Sequence, residues 1–178
     1  NISFIPYANE LGKKRGEKIY VKCNHRDLFE GLYDHVEFVD DINCTEYVLV
    51  NYLFDVPLQV GFSSQLGMKF KEIRPVVRKS KKVTPKIKGK YVCFSTHSTA
   101  QAKHWNNNQG WSKLCDELTG EGIIPVCIDR NKTFGIEGHW NPVPTNCLDQ
   151  TGGDLDHMMS LIEGCEFFVG LSSGLSWL

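Results

Sequence analysis

No apolar run in this chain approaches the roughly 20 residues a spanning helix needs, so no transmembrane segment is expected. One-sided charge is also missing. Twenty Lys and Arg against 21 Asp and Glu leave a formal charge of -1, which gives no global field for holding nucleic acid or an anionic membrane. Any anion site must therefore be local. There is no C-x-x-C pair and no C-x-x-C-H, and the seven cysteines are odd in number and widely spaced, which argues against a disulfide framework or zinc ribbon and for reduced thiols. Neither G-x-x-x-x-G-K-[ST] nor G-x-G-x-x-G occurs, so P-loop and dehydrogenase readings lack their phosphate cradles. His97, His104, His139 and His157 fall into no metal-ligand spacing, and no metal and no cofactor are expected. The opening residues 1–6 lack the basic-then-apolar layout of a signal peptide. A cytoplasmic location follows, and the sequons at 43–45 and 131–133 read as chance.

What is present suits an α/β protein. The 178 residues are 41% hydrophobic, 23% charged and 11% aromatic, enough to bury a real core in one domain or two small ones. Runs rich in β-branched and aromatic residues at 18–23, 35–39 and 46–50 read as strands, with helical stretches at 5–14, 27–33 and 57–68 around them. From Arg74 to Lys90 the composition turns basic without an acid and is punctuated by Pro75 and Pro85. No aromatics interleave for base stacking, so the run reads as solvated and linking rather than as a nucleic-acid site. The expected organisation is residues 1–80, a linker at 81–90, and residues 91–178.

The second half repeats a βα rhythm: strands at 91–95, 123–128 and 166–170, helices at 109–118 and 154–162. Alternation of this kind implies parallel βαβ units, whose ligands sit at the carboxyl ends of the strands. After 95 comes a polar loop with Ser98, Thr99 and Lys103. After 128 comes Asp129, which reads either as an exposed turn residue or as an acceptor for ribose hydroxyls. After 169 comes the small-residue turn Gly170-Leu171-Ser172-Ser173-Gly174, opening an apolar helix. Lysine and hydroxyls bind phosphate well, and glycine lets the backbone approach a ligand closely. The loops after 95 and 169 are therefore expected to face one anion. The same turn matches G-x-S-x-G, which in a hydrolase would make Ser172 a nucleophile, yet no His, Asp or Glu follows it within 173–178 as that triad order requires. A phosphate-binding module without chemistry is the other alternative.

Taken together, Ser98-Thr99, Lys103-His104-Trp105, Trp111, Gly170 and Ser172-Ser173-Gly174-Leu175-Ser176 resemble the donor-binding domain of ADP-heptose glycosyltransferases of the glycosyltransferase family 9 type. Within that group the chain is most similar to bacterial autotransporter heptosyltransferases. The resemblance implies the GT-B architecture, two Rossmann-like halves, with the nucleotide-sugar held by the C-terminal half and a protein or glycolipid acceptor by the N-terminal half. It implies that Ser98, Thr99, Lys103, Ser172, Ser173 and Gly174 hold the donor diphosphate, and that Asp129 with Gly153, Asp154 and Leu155 lies near the nucleoside. Transfer without a metal is implied, the nucleotide-sugar being a substrate rather than a cofactor, with lysine and backbone dipoles meeting the charge that develops on the leaving diphosphate.

The relatives take the acceptor's proton with a carboxylate in a Gly-Asp pair preceding a segment that resembles residues 2–11. That pair is expected upstream of Asn1, and the iron-binding cysteines of the autotransporter enzymes beyond Leu178, so a partial sequence is expected. Where many heptosyltransferases carry Asp-Thr-Gly and then His, this chain has Ser172-Ser173-Gly174 and then Trp177, which removes a charge from the pocket and bears on the sugar's identity.

Overall fold

Pro6 at the start of a helical stretch and Gly16 at its end frame helix α1, Ile5–Arg15, in the computed structural model, which describes residues 2–41, 47–83, 87–136 and 139–178. Gly16 closes the helix in the left-handed region at φ 71°, and Lys13, Lys14 and Arg15 place positive charge at the negative end of the helix dipole. Ile5, Ala8 and Gly12, spaced three and four apart, are buried. Strands β1, Ile19–Val21, and β2, Val36–Phe38, pair in parallel. Helix α2, Leu58–Gln65, follows Pro57. The phenol of Tyr7 donates to the Lys71 carbonyl at 2.6 Å, and the Gln59 amide donates to the Ile73 carbonyl at 2.9 Å, which ties both helices to the extended chain beyond them. These elements belong to the first of two compact units, Asn1–Arg78 and Lys79–Leu178.

The second unit is built on a parallel sheet. Strands β3, Tyr91–Ser95, and β4, Ile124–Cys127, flank helix α3, Gly110–Gly120. An antiparallel hairpin of β5, Thr133–Ile136, and β6, His139–Pro142, leads to the short β7, Leu148–Asp149. Helix α4, Leu155–Gly164, then returns the chain to β8, Phe168–Gly170. The sheet order is β7-β4-β3-β8 and every neighbour is parallel. From β3 the chain moves outward through β4 to β7 and then crosses to the other side of β3. That reversal puts a topological switch point at the carboxyl ends of β3 and β8, where sheets of this kind bind ligands.

All five residues of β3 are buried because both faces of the sheet are covered. Tyr91 and Cys93 pack with Val126, Ile128 and Leu161 on the α4 side, and the Tyr91 phenol donates to the Leu161 carbonyl at 2.8 Å. Burial pushes that phenol's pKa up to about 12. Phe94 packs with Cys115 and Cys127 on the α3 side and stacks on Trp111 at 5.5 Å between centroids, and Trp105 meets the edge of Trp111. Successive residues of β3 thus serve opposite layers, as the two-residue repeat of a strand dictates.

The structure departs from the sequence reading in four places. Residues 27–33 hold only a 3₁₀ turn, Arg26–Leu28. Residues 47–50 are not a strand, and Tyr47, Val48 and Leu49 are exposed: β propensity without a pairing partner leaves a run extended but unpaired. Residue 46 lies outside the described residues. The chain after Ser173 forms a single 3₁₀ turn, Gly174–Trp177, instead of an α-helix. The β5–β6 hairpin and β7 were not anticipated. Part of the basic run also has definite partners: the Ser80 and Lys81 amides donate to Glu163 and Asp156, and Lys82 Nζ to Asp154 at 2.5 Å. These bonds fasten the start of the second unit to α4.

Phe94→Ala removes a fully buried ring between α3 and the sheet and is expected to cost about 3–5 kcal/mol of stability. Val83→Ala, at a fully solvated position, should stay within about 0.5 kcal/mol. Urea unfolding followed by circular dichroism reads both.

Candidate functional site

The turn that follows β3 is held by a carboxylate beneath it. Asp129, 2% exposed at the end of β4, accepts from Ser95 Oγ at 2.5 Å, from the Thr96 amide at 2.7 Å and from Thr96 Oγ1 at 3.0 Å. His97 Nδ1 lies 3.7 Å from the same carboxylate, and His97 Nε2 donates to the Asn141 carbonyl at 2.7 Å. The Cys127 thiol donates to Asp129 as well, and burial together with that carboxylate pushes its pKa well up. Asp129 is therefore not an exposed turn residue, and both of its carboxylate oxygens are taken by residues 95 and 96. It has no solvent face to offer a ligand, and it organises residues 95–97.

One step further along, His104 is buried and its Nε2 accepts from the Ser98 amide at 3.0 Å. Burial holds its pKa below the ordinary imidazole value, and the neighbouring His97 adds to this. A neutral ring is what accepting an N–H requires. The loop so shaped turns two donors the same way: Ser98 Oγ donates to the Ser172 carbonyl at 3.3 Å, and Lys103 Nζ donates to the same oxygen at 3.5 Å. Two strand-end loops thus meet at the switch point with an ammonium between them. Thr99 is exposed on this loop. Ser173 Oγ is buried without a partner, a state that costs about 1–3 kcal/mol until something bonds it. At Gly174 an added Cβ would meet open space.

The residues assigned to the nucleoside lie at the same carboxyl edge, around β4 and β7. The Gly152 amide donates to the Asp129 carbonyl at 3.0 Å. Asp154 caps α4 by accepting from the His157 amide at 2.9 Å, and its other oxygen takes the Lys82 ammonium, which lowers its pKa. A Cβ at Gly153 would meet the His157 ring at 2.3 Å, so any larger residue there would have to move that ring. Leu155 begins the helix. The structure thus forms two groups, Ser98, Lys103 and Ser172 in one and Asp129 with 152–155 in the other. His97 and His104 were missed as site-shaping residues. His104 stands beside Lys103 in sequence, yet only burial reveals its role.

No protein-family model matches the chain. Individual proteins do. Over 94 residues, 52% of this chain, it is 48% identical to the autotransporter heptosyltransferase Aah of Escherichia coli, and over 93 residues it is 44% identical to BAHTCr of Citrobacter rodentium. The chain's relatives are autotransporter heptosyltransferases. Among solved structures it resembles the glycosyltransferase TibC of enterotoxigenic E. coli, described as iron-containing and dodecameric, with a TM-score of 0.81 and 29% identity over 99% of this chain. A second structure of that heptosyltransferase, in complex with ADP-D-beta-D-heptose, gives 0.80 and 31%. The α/β fold with parallel sheets is therefore that of a heptosyltransferase. The chain spans 24% and 23% of the lengths of the first two relatives and 51% of TibC. Metal-free transfer finds no support in these heptosyltransferases, since TibC is described as iron-containing. Among the described residues, no three His, Cys, Asp or Glu side chains converge as metal ligands would.

Asp129→Ala strips the acceptor from Ser95 and Thr96 and should cost about 3 kcal/mol, read by denaturant unfolding. His104, held below its ordinary value of 6.5, binds its proton more readily in the unfolded chain. The stability it contributes is full above that value and is lost as pH falls below it. Melting temperature should fall as the pH drops below about 6.5, and His104→Gln should flatten that slope.

Proposed function

We propose that the second unit binds a nucleoside-diphosphate sugar at the carboxyl ends of β3 and β8, and that the protein to which this chain belongs transfers the sugar, heptose from an ADP-linked donor, to an acceptor hydroxyl. The observation that carries this reading is the convergence of Lys103 Nζ and Ser98 Oγ on the Ser172 carbonyl. A pyrophosphate placed there would take over both donors and could reach the unpartnered Ser173 hydroxyl. The solved TibC complex holds ADP-heptose, which supports that choice of donor.

The chemistry follows from charge. When the bond from the sugar to the diphosphate breaks, negative charge grows on the leaving oxygens. A fixed ammonium and hydroxyls stabilise that charge most when they are held in place beforehand. Asp129 and His104 supply the holding, the first beneath Ser95 and Thr96, the second behind the Ser98 amide. Thr99 is placed to add a further hydroxyl, and Gly174 leaves room for the phosphate to approach. Asp129 enters as a support of the site, while Gly153, Asp154 and Leu155 line the edge on which the nucleoside would lie. A protein acceptor is the choice that autotransporter-directed relatives favour. A serine hydrolase reading gains little, since His97 is directed to Asp129 and Asn141 and His104 to the Ser98 amide.

Loss of a charged hydrogen bond to phosphate is worth about 1.5–3 kcal/mol. Lys103→Ala should therefore weaken ADP-heptose binding roughly tenfold to a hundredfold in calorimetry, with the melting temperature in the absence of ligand unchanged. Wild-type affinity in that variant would overturn the site.

A further inference from the structure

Beneath the sheet on the α3 side, three sulfurs gather. Cys115 and Cys127 are fully buried beside Phe94, and the partly exposed Cys147, on the stretch between β6 and β7, packs against the same cluster. Asn146 fixes how that stretch approaches: its amide nitrogen donates to the Ser112 carbonyl at 2.8 Å and to Asp116 Oδ1 at 2.7 Å. Ser112, Cys115 and Asp116 share one face of α3 by their spacing of three and four. The residue after Asn146 is therefore brought into the cluster that holds Cys115, and its thiol donates to the Pro144 carbonyl at 3.2 Å.

We propose that Cys115 and Cys147 form a peroxide-reactive dithiol that closes an intrachain disulfide between α3 and the approach to β7. The two sulfurs have different parts. Cys147 is reachable from solvent, and the bond from Cys115 favours its thiolate and lowers its pKa. Cys115 is sealed off, and both that bond and burial push its thiol up. The thiolate, the better nucleophile, therefore forms on the accessible partner.

With hydrogen peroxide as oxidant, the Cys147 sulfur attacks one peroxide oxygen and the O–O bond breaks. The departing hydroxide takes the thiol proton as water, leaving a sulfenic acid. The Cys115 sulfur then attacks the Cys147 sulfur, the S–O bond breaks, and the hydroxyl leaves with the Cys115 proton as a second water. Two thiols and one peroxide give one disulfide and two waters. The bond would fix the stretch that begins at Asn141, whose carbonyl accepts from His97, and so stiffen one support of the loop after β3.

The test treats the purified protein with a small excess of hydrogen peroxide, blocks remaining thiols with N-ethylmaleimide and maps peptides without reduction. The expected result is a linked pair of peptides carrying Cys115 and Cys147, reversed by dithiothreitol, with Cys147 alkylated several-fold faster than the sealed Cys115 in the reduced protein. Cys147→Ser, at a partly exposed position, should keep Cys115 as a free thiol under the same exposure. Cys115→Ser should leave Cys147 as a sulfenic acid that dimedone captures. Linkage of any other cysteine pair in place of this one, alkylation of Cys147 no faster than that of Cys115, or both target thiols remaining free would overturn the proposal.

Discussion

A single buried carboxylate sets the geometry on which the site depends. Asp129 sits where β4 ends, yet it bonds the residues that close β3. A charge taken out of water must be surrounded by donors, and here those donors are the first two residues of the loop that carries Ser98 and Lys103. The cost of burying the charge is thus offset by fixing the direction in which the chain leaves the sheet. Without it the hydroxyl and amide of a flexible turn would turn to solvent, and the switch point would be an ordinary gap between strands.

From that anchor the order propagates outward. His97 links the anchor to β6, and the neutral His104 holds the Ser98 amide. Lys103 is the outermost element, on a long and entropically costly side chain, and in the absence of an anion its ammonium rests on a backbone carbonyl of the opposite loop. A carbonyl is a weak partner for a full positive charge compared with a phosphate oxygen. In the site proposed above, an arriving phosphate would therefore displace only a weak contact of the lysine.

Much of this was legible in the sequence, for identifiable reasons. β3 is readable because Tyr91 to Phe94 are apolar without alternation, as a strand covered on both faces must be. The start of α4 is readable because Asp154 follows two glycines and can cap the helix. That Ser98, Lys103 and Ser172 come together follows from their place in the loops after two neighbouring parallel strands. The hairpin escaped notice because Gly135, Asn141 and Pro142 are poor strand formers, and it exists through pairing rather than propensity. Residues 47–50 erred the other way, with propensity but no partner. The role of Asp129 turns on burial, which residue type does not disclose, although an acid closing an apolar run beside a neighbouring strand that ends in Ser95-Thr96 is a usable signal.

The clasp formed by Ser80, Lys81 and Lys82 on α4 bears on how this molecule can be divided. Those amides and that ammonium engage Asp154, Asp156 and Glu163, so residues 80–82 are fastened to α4 and its cap. An excised carboxyl-terminal half that starts at Tyr91 would lose the donors that residues 80–82 give to Asp154, Asp156 and Glu163, whereas one that starts at Lys79 would carry its own closure.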